Sequence, residues 1–167
     1  MIRALSAGLR PGSRVYLGNS LPIREWDLAA VRNDRGFVVE ANRGANGIDG
    51  QLSTFFGQCD ASTDNVAVVG DLTALYDLNS PWIVPQLDPD VRFRIVIVNN
   101  RGGRIFERVG SLRSIPADIR GRVIDNPHDL RFDAWTSMFG LGDAVEEIWP
   151  DLDASRRAWQ RYEELWA

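Results

Sequence analysis

Two short runs of branched apolar residues, each halted by polar side chains, constrain this chain more than anything else in it. Val66-Ala67-Val68-Val69 runs directly into Gly70-Asp71-Leu72, and Phe93-Arg94-Ile95-Val96-Ile97-Val98 runs directly into Asn99-Asn100. Such Val/Ile-rich runs read as strands of a parallel sheet buried on both faces. The pattern predicts an α/β fold and brings a carboxylate and a carboxamide to the carboxyl ends of two strands, where open α/β sheets bind their ligands. Hard oxygen donors at that edge suit Mg2+, which is held by few protein ligands and by phosphate oxygens. The expectation is a Mg2+–diphosphate site.

The rest of the chain supplies strands and helices in alternation, which predicts a mostly parallel sheet with helices on both faces. Residues 14–18 read as a first strand ending at Gly18-Asn19-Ser20. Ser20 is placed to cap a helix over 22–32, with Pro22 in its first turn. A turn at Asn33-Asp34-Arg35-Gly36 leads to a strand at 37–40. Residues 42–50 form a glycine-punctuated loop, with Asp49 as cap of a helix reaching Gln58. A helix over 72–86 would turn Leu75, Leu78 and Trp82 to the sheet, with Pro81 as a kink or early stop. Residues 101–125 read as a basic loop with at most one short helix, 128–139 as a helix and 144–148 as a short strand. Asp153 then caps a last helix presenting Trp159, Tyr162, Leu165 and Trp166.

Composition narrows the chemistry. A length of 167 residues suits one domain with a real core. No apolar run approaches the roughly 18 residues of a membrane span, and Met1-Ile2-Arg3-Ala4-Leu5 is too short and polar for a secretory signal, so the expected location is cytoplasmic. A net charge of −4 with interspersed signs gives no footprint for nucleic acid, and the arginines between 101 and 122 read as a solvated loop. The single cysteine excludes an internal disulfide and a multi-cysteine zinc site; Cys59 reads as a small buried residue. The single histidine, His128, lies in Asn126-Pro127-His128-Asp129 and reads as a surface or capping residue. No nucleophile-elbow sequence accompanies it.

The step from Gly70-Asp71 to Asn99-Asn100 resembles the thiamine-diphosphate signature, with Leu72 in place of a third glycine. Three more segments, 18–24 (Gly-Asn-Ser-Leu-Pro-Ile-Arg), 42–50 (Asn-Arg-Gly-Ala-Asn-Gly-Ile-Asp-Gly) and 99–106 (Asn-Asn-Arg-Gly-Gly-Arg-Ile-Phe), follow in the order of the C-terminal domain of 2-succinyl-5-enolpyruvyl-6-hydroxy-3-cyclohexene-1-carboxylate synthase, the MenD family of menaquinone biosynthesis. In that family Gly-Asp-Leu is an ordinary form of the first motif. The resemblance runs from about residue 13 to 108 and thins beyond.

The resemblance implies a thiamine-diphosphate-binding fold over 1–167, with Mg2+ (or Mn2+) and thiamine diphosphate as cofactors. It assigns the metal to Asp71, the side-chain oxygen of Asn100 and the carbonyl of Gly102. Ser20, Gly70, Leu72 and Thr73 would contact the cofactor, and Ile48 would be the apolar wedge beneath its bend. Taken alone, Asp71 reads as a helix cap and Ile48 as a core residue; their neighbouring motifs favour the cofactor roles. The family decarboxylates 2-oxoglutarate and adds the resulting unit to isochorismate. Both substrates carry carboxylates, which suit guanidinium groups. Arg24 and Arg43 match its substrate-binding arginines, Ser20 a nearby polar contact, and Ile105 and Phe106 the apolar wall.

The resemblance places the pyrimidine-binding domain, with its activating glutamate, and the middle domain outside these residues. The expectation is therefore no catalytic residue in this chain, inactivity in isolation, and an oligomer or a partner chain that completes the site. The segment 139–145 also reads as shortened. Two alternatives stay open: the corresponding subunit of another split 2-oxoacid decarboxylase, and a non-catalytic interaction module.

Overall fold

The computed structural model describes residues 1–44, 47–112 and 114–165. Ala45, Asn46 and Trp166, which the motif at 42–50 and the last helix would include, lie outside the described residues. The apolar runs become the two central strands of a five-stranded, wholly parallel sheet. Its strands are β1 (Arg14–Leu17), β2 (Val38–Glu40), β3 (Asp64–Gly70), β4 (Arg92–Val98) and β5 (Val145–Ile148), in the order β2-β1-β3-β4-β5. Gly70 pairs with Val98 across β3 and β4, so the residues leaving these strands emerge level with each other.

Alternation along each strand divides the core in two. Tyr16, Ala67, Val69, Ile95 and Ile97 face one side, where Leu52, Phe55 and Phe56 of α3 (Gln51–Gln58) and Ala74 of α4 (Asp71–Tyr76) cover them. Phe132 and Trp135, at the start and within α6 (Asp133–Met138), complete that layer. Val15, Leu17, Val66, Val68, Val96 and Val98 face the other side, under Ile2 of α1 (Ile2–Gly8), Leu9 and Trp26 of α2 (Leu21–Ala29). Helices therefore lie on both faces, as expected of strands with no polar side.

Several local expectations are corrected. The helix α1 escapes a periodicity reading because it is seven residues long; its Ser6 is fully buried, and its hydroxyl accepts the Val31 N–H at 3.0 Å. That contact needs an extended chain after α2, which ends at Ala29 rather than near 32. The helix proposed for 72–86 breaks in two. α4 stops at Tyr76, Asp77 turns inward, and a 3-10 helix runs over Ser80–Gln86. Leu75 packs on the core, whereas Leu78 and Trp82 are exposed. α6 begins at Asp133, five residues later than the 128–139 reading. The basic loop folds into 3-10 turns at Arg104–Arg108 and Gly110–Leu112, a short helix α5 (Ala117–Arg120) and a π turn over Gly121–Asp125.

The last helix, α7 (Leu152–Leu165), begins under Asp151, whose carboxylate accepts the Ala154 N–H at 2.9 Å; Asp153 is not the cap. The crossover into β5 is tight. α6 ends at Met138, and Gly140 and Gly142 take positive φ before β5 starts at Val145. Among the described residues no helix is long and apolar enough to cross a membrane.

Trp135 holds this crossover in place. It is buried, meets Phe132 edge-on at 5.9 Å, and donates its indole N–H to the Leu78 carbonyl at 2.7 Å. Trp135→Ala should cost about 3–5 kcal/mol of unfolding free energy, as for other buried large-to-small changes. Urea denaturation checks this, and Trp135→Phe, which loses the hydrogen bond but keeps most of the packing, should cost clearly less.

Candidate functional site

The strand order reverses between β1 and β3, and at such a switch point the loops leaving the carboxyl ends part to open a crevice. Three loops meet there: Gly18-Asn19-Ser20 after β1, Gly70-Asp71 after β3, and Asn99-Asn100 after β4. Backbone conformations unusual for non-glycine residues gather at the same edge, with φ of 73° at Ser20, 64° at Arg101 and 42° at Asn126. Such residues persist only where their surroundings hold them, and they concentrate at functional sites.

Asp71 sits at the centre, 2 % exposed. One carboxylate oxygen accepts the Leu72 N–H at 2.8 Å, and the other accepts the Gly102 N–H at 2.9 Å. Burial pushes this carboxyl above its ordinary pKa; the Gly102 and Leu72 N–H groups and His128 pull the other way. The His128 imidazole is the largest correction to the sequence reading. It keeps a local capping contact but is not a surface residue: Nε2 lies 3.2 Å from Asp71 Oδ2, with the side chain 10 % exposed. The pair is close but not aligned as a hydrogen bond, leaving Nε2 without an acceptor. Nδ1 accepts the Leu130 N–H, which leaves Nε2 facing Asp71. No spacing rule connects residues 71 and 128; the loop after β4 carries one back to the other.

The two asparagines after β4 separate in role. Asn99 is buried and structural: its amide donates to the Leu130 carbonyl and to Glu147, and its carbonyl oxygen accepts the Arg101 N–H. Asn100 keeps its side-chain oxygen buried with no hydrogen-bond partner. A buried acceptor left unpaired is costly, and a hard oxygen in that condition, on the sheet edge that also carries Asp71, fits a divalent cation. Gly102, at φ +128°, threads where a side chain cannot: a Cβ there would lie 2.5 Å from the Asp125 carbonyl oxygen. Among the described residues no three His, Cys, Asp or Glu side chains cluster as a metal site. A cation here would thus depend on Asp71, Asn100, backbone oxygen and oxygens of its ligand.

On the β1 side, Ser20 is not the expected cap. Its side chain caps nothing, and its carbonyl accepts from Arg24 Nη1 at 2.6 Å. Arg43 donates to the Asn19 side-chain oxygen at 3.1 Å, which brings the loop after β2 against the loop after β1. Ile48 is half-buried in that loop. Asp49 does not cap α3; Gly50 does, and Asp77 supplies the acceptors. Thr73 is buried within α4, directly behind Gly70 and Asp71, and Leu72 is half-buried. On the β4 side, Ile105 and Phe106 are half-buried on the 3-10 helix Arg104–Arg108. The candidate residues thus flank Asp71 in two groups.

Comparison with curated proteins finds, among others, relatives named 2-succinyl-5-enolpyruvyl-6-hydroxy-3-cyclohexene-1-carboxylate synthase. The protein from Bdellovibrio bacteriovorus is 40% identical over 184 residues, covering 99% of this chain and 33% of the relative. Those from Akkermansia muciniphila and Photorhabdus laumondii are 39% and 40% identical, covering 84% and 90% of this chain and 26% of each relative. The chain is related to this synthase family. It spans a quarter to a third of the length of these synthases. No protein-family model matches it. The alignment with the Bdellovibrio bacteriovorus protein exceeds the 167 residues of the chain, so that synthase carries residues absent here.

Against the synthase-like edge lies α7. It is held by Arg108, stacked 4.3 Å over the Trp159 ring and 3.8 Å from Glu163, and by Arg156, 3.6 Å from Glu107. The arginines of the basic tract are largely engaged this way: Arg101 with Asp129, Arg104 with Glu107, Arg120 with Asp125. Cys59 is a partly buried thiol donating to the Phe55 carbonyl, pushed up to about 12 by burial, as expected of a packing residue.

Glu25 of α2 joins the same clasp, with Trp159 as hydrogen-bond partner. Burial dominates and raises its carboxyl above the ordinary 4.5, against the opposing pull of Trp159 and Arg108. A raised folded-state pKa means stability present below the unfolded pKa and lost as pH rises through the folded one. Glu25→Gln, which keeps an acceptor for Trp159, should therefore melt higher than the parent chain at neutral pH. The difference should vanish below pH 4.5, where both side chains are uncharged. Thermal melts across that range check the sign.

Proposed function

We propose that this chain is the Mg2+–thiamine-diphosphate-binding portion of a 2-succinyl-5-enolpyruvyl-6-hydroxy-3-cyclohexene-1-carboxylate synthase, acting on 2-oxoglutarate and isochorismate in menaquinone biosynthesis. The observation that carries the reading is the buried, unpartnered Asn100 oxygen on the same sheet edge as buried Asp71. Asp71, Asn100 and the Gly102 carbonyl would hold the cation. Ser20, Gly70, Leu72 and Thr73 would line the diphosphate, and Ile48 would support the bend of the cofactor. When bound, thiamine diphosphate supplies the carbanion chemistry of decarboxylation and carbon–carbon bond formation. The chain's own contribution is to bind and orient. Arg24 and Arg43 would receive substrate carboxylates through charge-assisted hydrogen bonds, and Ile105 and Phe106 would exclude water from the reacting carbon. Completion of the site, including the acid–base group at the cofactor's pyrimidine, falls to a pyrimidine-binding domain on another segment or chain, within an oligomer.

Asp71→Ala and Asn100→Ala should each abolish joint binding of Mg2+ and thiamine diphosphate by the chain, measured calorimetrically. Unchanged binding in both variants would remove the diphosphate site.

Arg43 separates this reading from another 2-oxoacid decarboxylase. In enzyme reconstituted with the pyrimidine-binding portion, Arg43→Ala should weaken affinity for a carboxylate substrate by roughly ten- to a hundredfold, the loss of a charge-assisted contact on the order of 1.5–3 kcal/mol. Cofactor affinity should hold. An effect confined to the cofactor would reassign the residue.

A further inference from the structure

Residues 47–50 carry Ile48 between two anchors that no motif announces. At one end the Gly47 carbonyl accepts from Asn19 Nδ2 at 2.8 Å and from Gln51 Nε2 at 2.9 Å. Gln51, 1 % exposed, also accepts the Asn19 N–H at 2.8 Å, so one buried carboxamide ties this loop to the loop after β1. At the other end the Asp77 carboxylate, 5 % exposed, accepts the Gly50 N–H at 2.6 Å on one oxygen and the Leu52 N–H at 2.7 Å on the other. The Ser53 N–H stands 3.4 Å from that second oxygen.

A helix start is ordinarily satisfied by its own capping side chain. Here Asp49 is adjacent to the helix start yet exposed, and the acceptor comes from 27 residues further along the chain. Asp77 immediately follows α4, whose first residue is Asp71. One short helix thus carries Asp71 at its start and the anchor of the Ile48 loop at its end. A carboxylate suits the task because both oxygens accept; the N–H groups and the positive end of α3 compensate its buried charge.

We infer that Asp77 and Gln51 are positioning residues that pin the Gly47–Gly50 segment from both ends and set Ile48 at a fixed place relative to Asp71. The inference deepens the proposed function and rests on its assignment of Ile48 beneath the cofactor. Pinning acts on the part of the ligand that meets Ile48, not on the diphosphate, and that difference makes a test.

The experiment uses the full chain with Mg2+ and two probes, thiamine diphosphate and inorganic pyrophosphate. Asp77→Asn should weaken thiamine diphosphate by roughly ten- to a hundredfold, as loss of an orienting partner does elsewhere, and leave pyrophosphate affinity unchanged. Ile48→Ala should do the same, and the double variant should be no worse than Ile48→Ala alone. Amide exchange provides a second readout: Asp77→Asn should speed exchange at Gly47 to Asp49 as well as at Gly50 and Leu52. If Asp77→Asn does not fold, Gln51→Glu, which keeps the acceptor for Asn19 and removes the donor to Gly47, should give the same pattern. Equal loss of both probes, additive penalties, or unchanged exchange at 47–49 would overturn the inference. Failure of the parent chain to bind either probe would instead defeat the cofactor reading, and the exchange arm would still decide the pinning.

Discussion

A strand segment packed on both faces favours apolar side chains throughout, and this constraint organises the molecule. In β3 and β4, residues 66–69 and 95–98 are all essentially buried. Polar groups are driven to the strand ends, and parallel pairing puts all carboxyl ends on one edge. The crossovers must return helices to both faces, and the reversal of strand order between β1 and β3 parts the loops where the polar groups emerge. Fold and site location follow from one demand for burial.

At that edge the protein assembles groups that are unfavourable on their own. A buried carboxylate, a buried carboxamide oxygen without a partner, an imidazole close to the carboxylate and three non-glycine residues at positive φ lie on neighbouring loops. The buried carboxylate, the unpaired oxygen and the positive-φ residues each cost folding free energy. Their concentration at one edge, rather than their scatter over the surface, is what favours a ligand-binding role. His128 is the least anticipated member, since the loop that carries it crosses back from beyond the 3-10 turns after β4.

The chain order of strands, the parallel sheet and the junctions at Gly70-Asp71 and Asn99-Asn100 were legible because they depend on local patterns of apolar residues. Helix starts were read poorly. Ser20, Asp49 and Asp153 all have the chemistry of a cap, yet the acceptors at α3 and α7 come from Asp77 and Asp151, and α2 takes none from Ser20. Capping preference is a local signal; a remote carboxylate that wins the position does so through tertiary geometry. The same override ended the helix at Tyr76, where turning Asp77 inward left Leu78 and Trp82 in solvent. Of the residues proposed to face substrate, Arg43 is joined to Asn19 by the fold, while Ile105 and Phe106 lie on the 3-10 helix after β4.

The last helix shows a different balance. α7 has no fully buried residue, and its attachment includes guanidinium–aromatic stacking, ion pairs and the Glu25–Trp159 hydrogen bond. The sheet is held by apolar burial, which salt does not screen, whereas the pairs at α7, 3.6 to 3.8 Å apart and half open to solvent on one partner, are screened in part. With no fully buried residue of its own, the carboxyl-terminal helix would fray before the sheet opens, and salt would add to that only modestly.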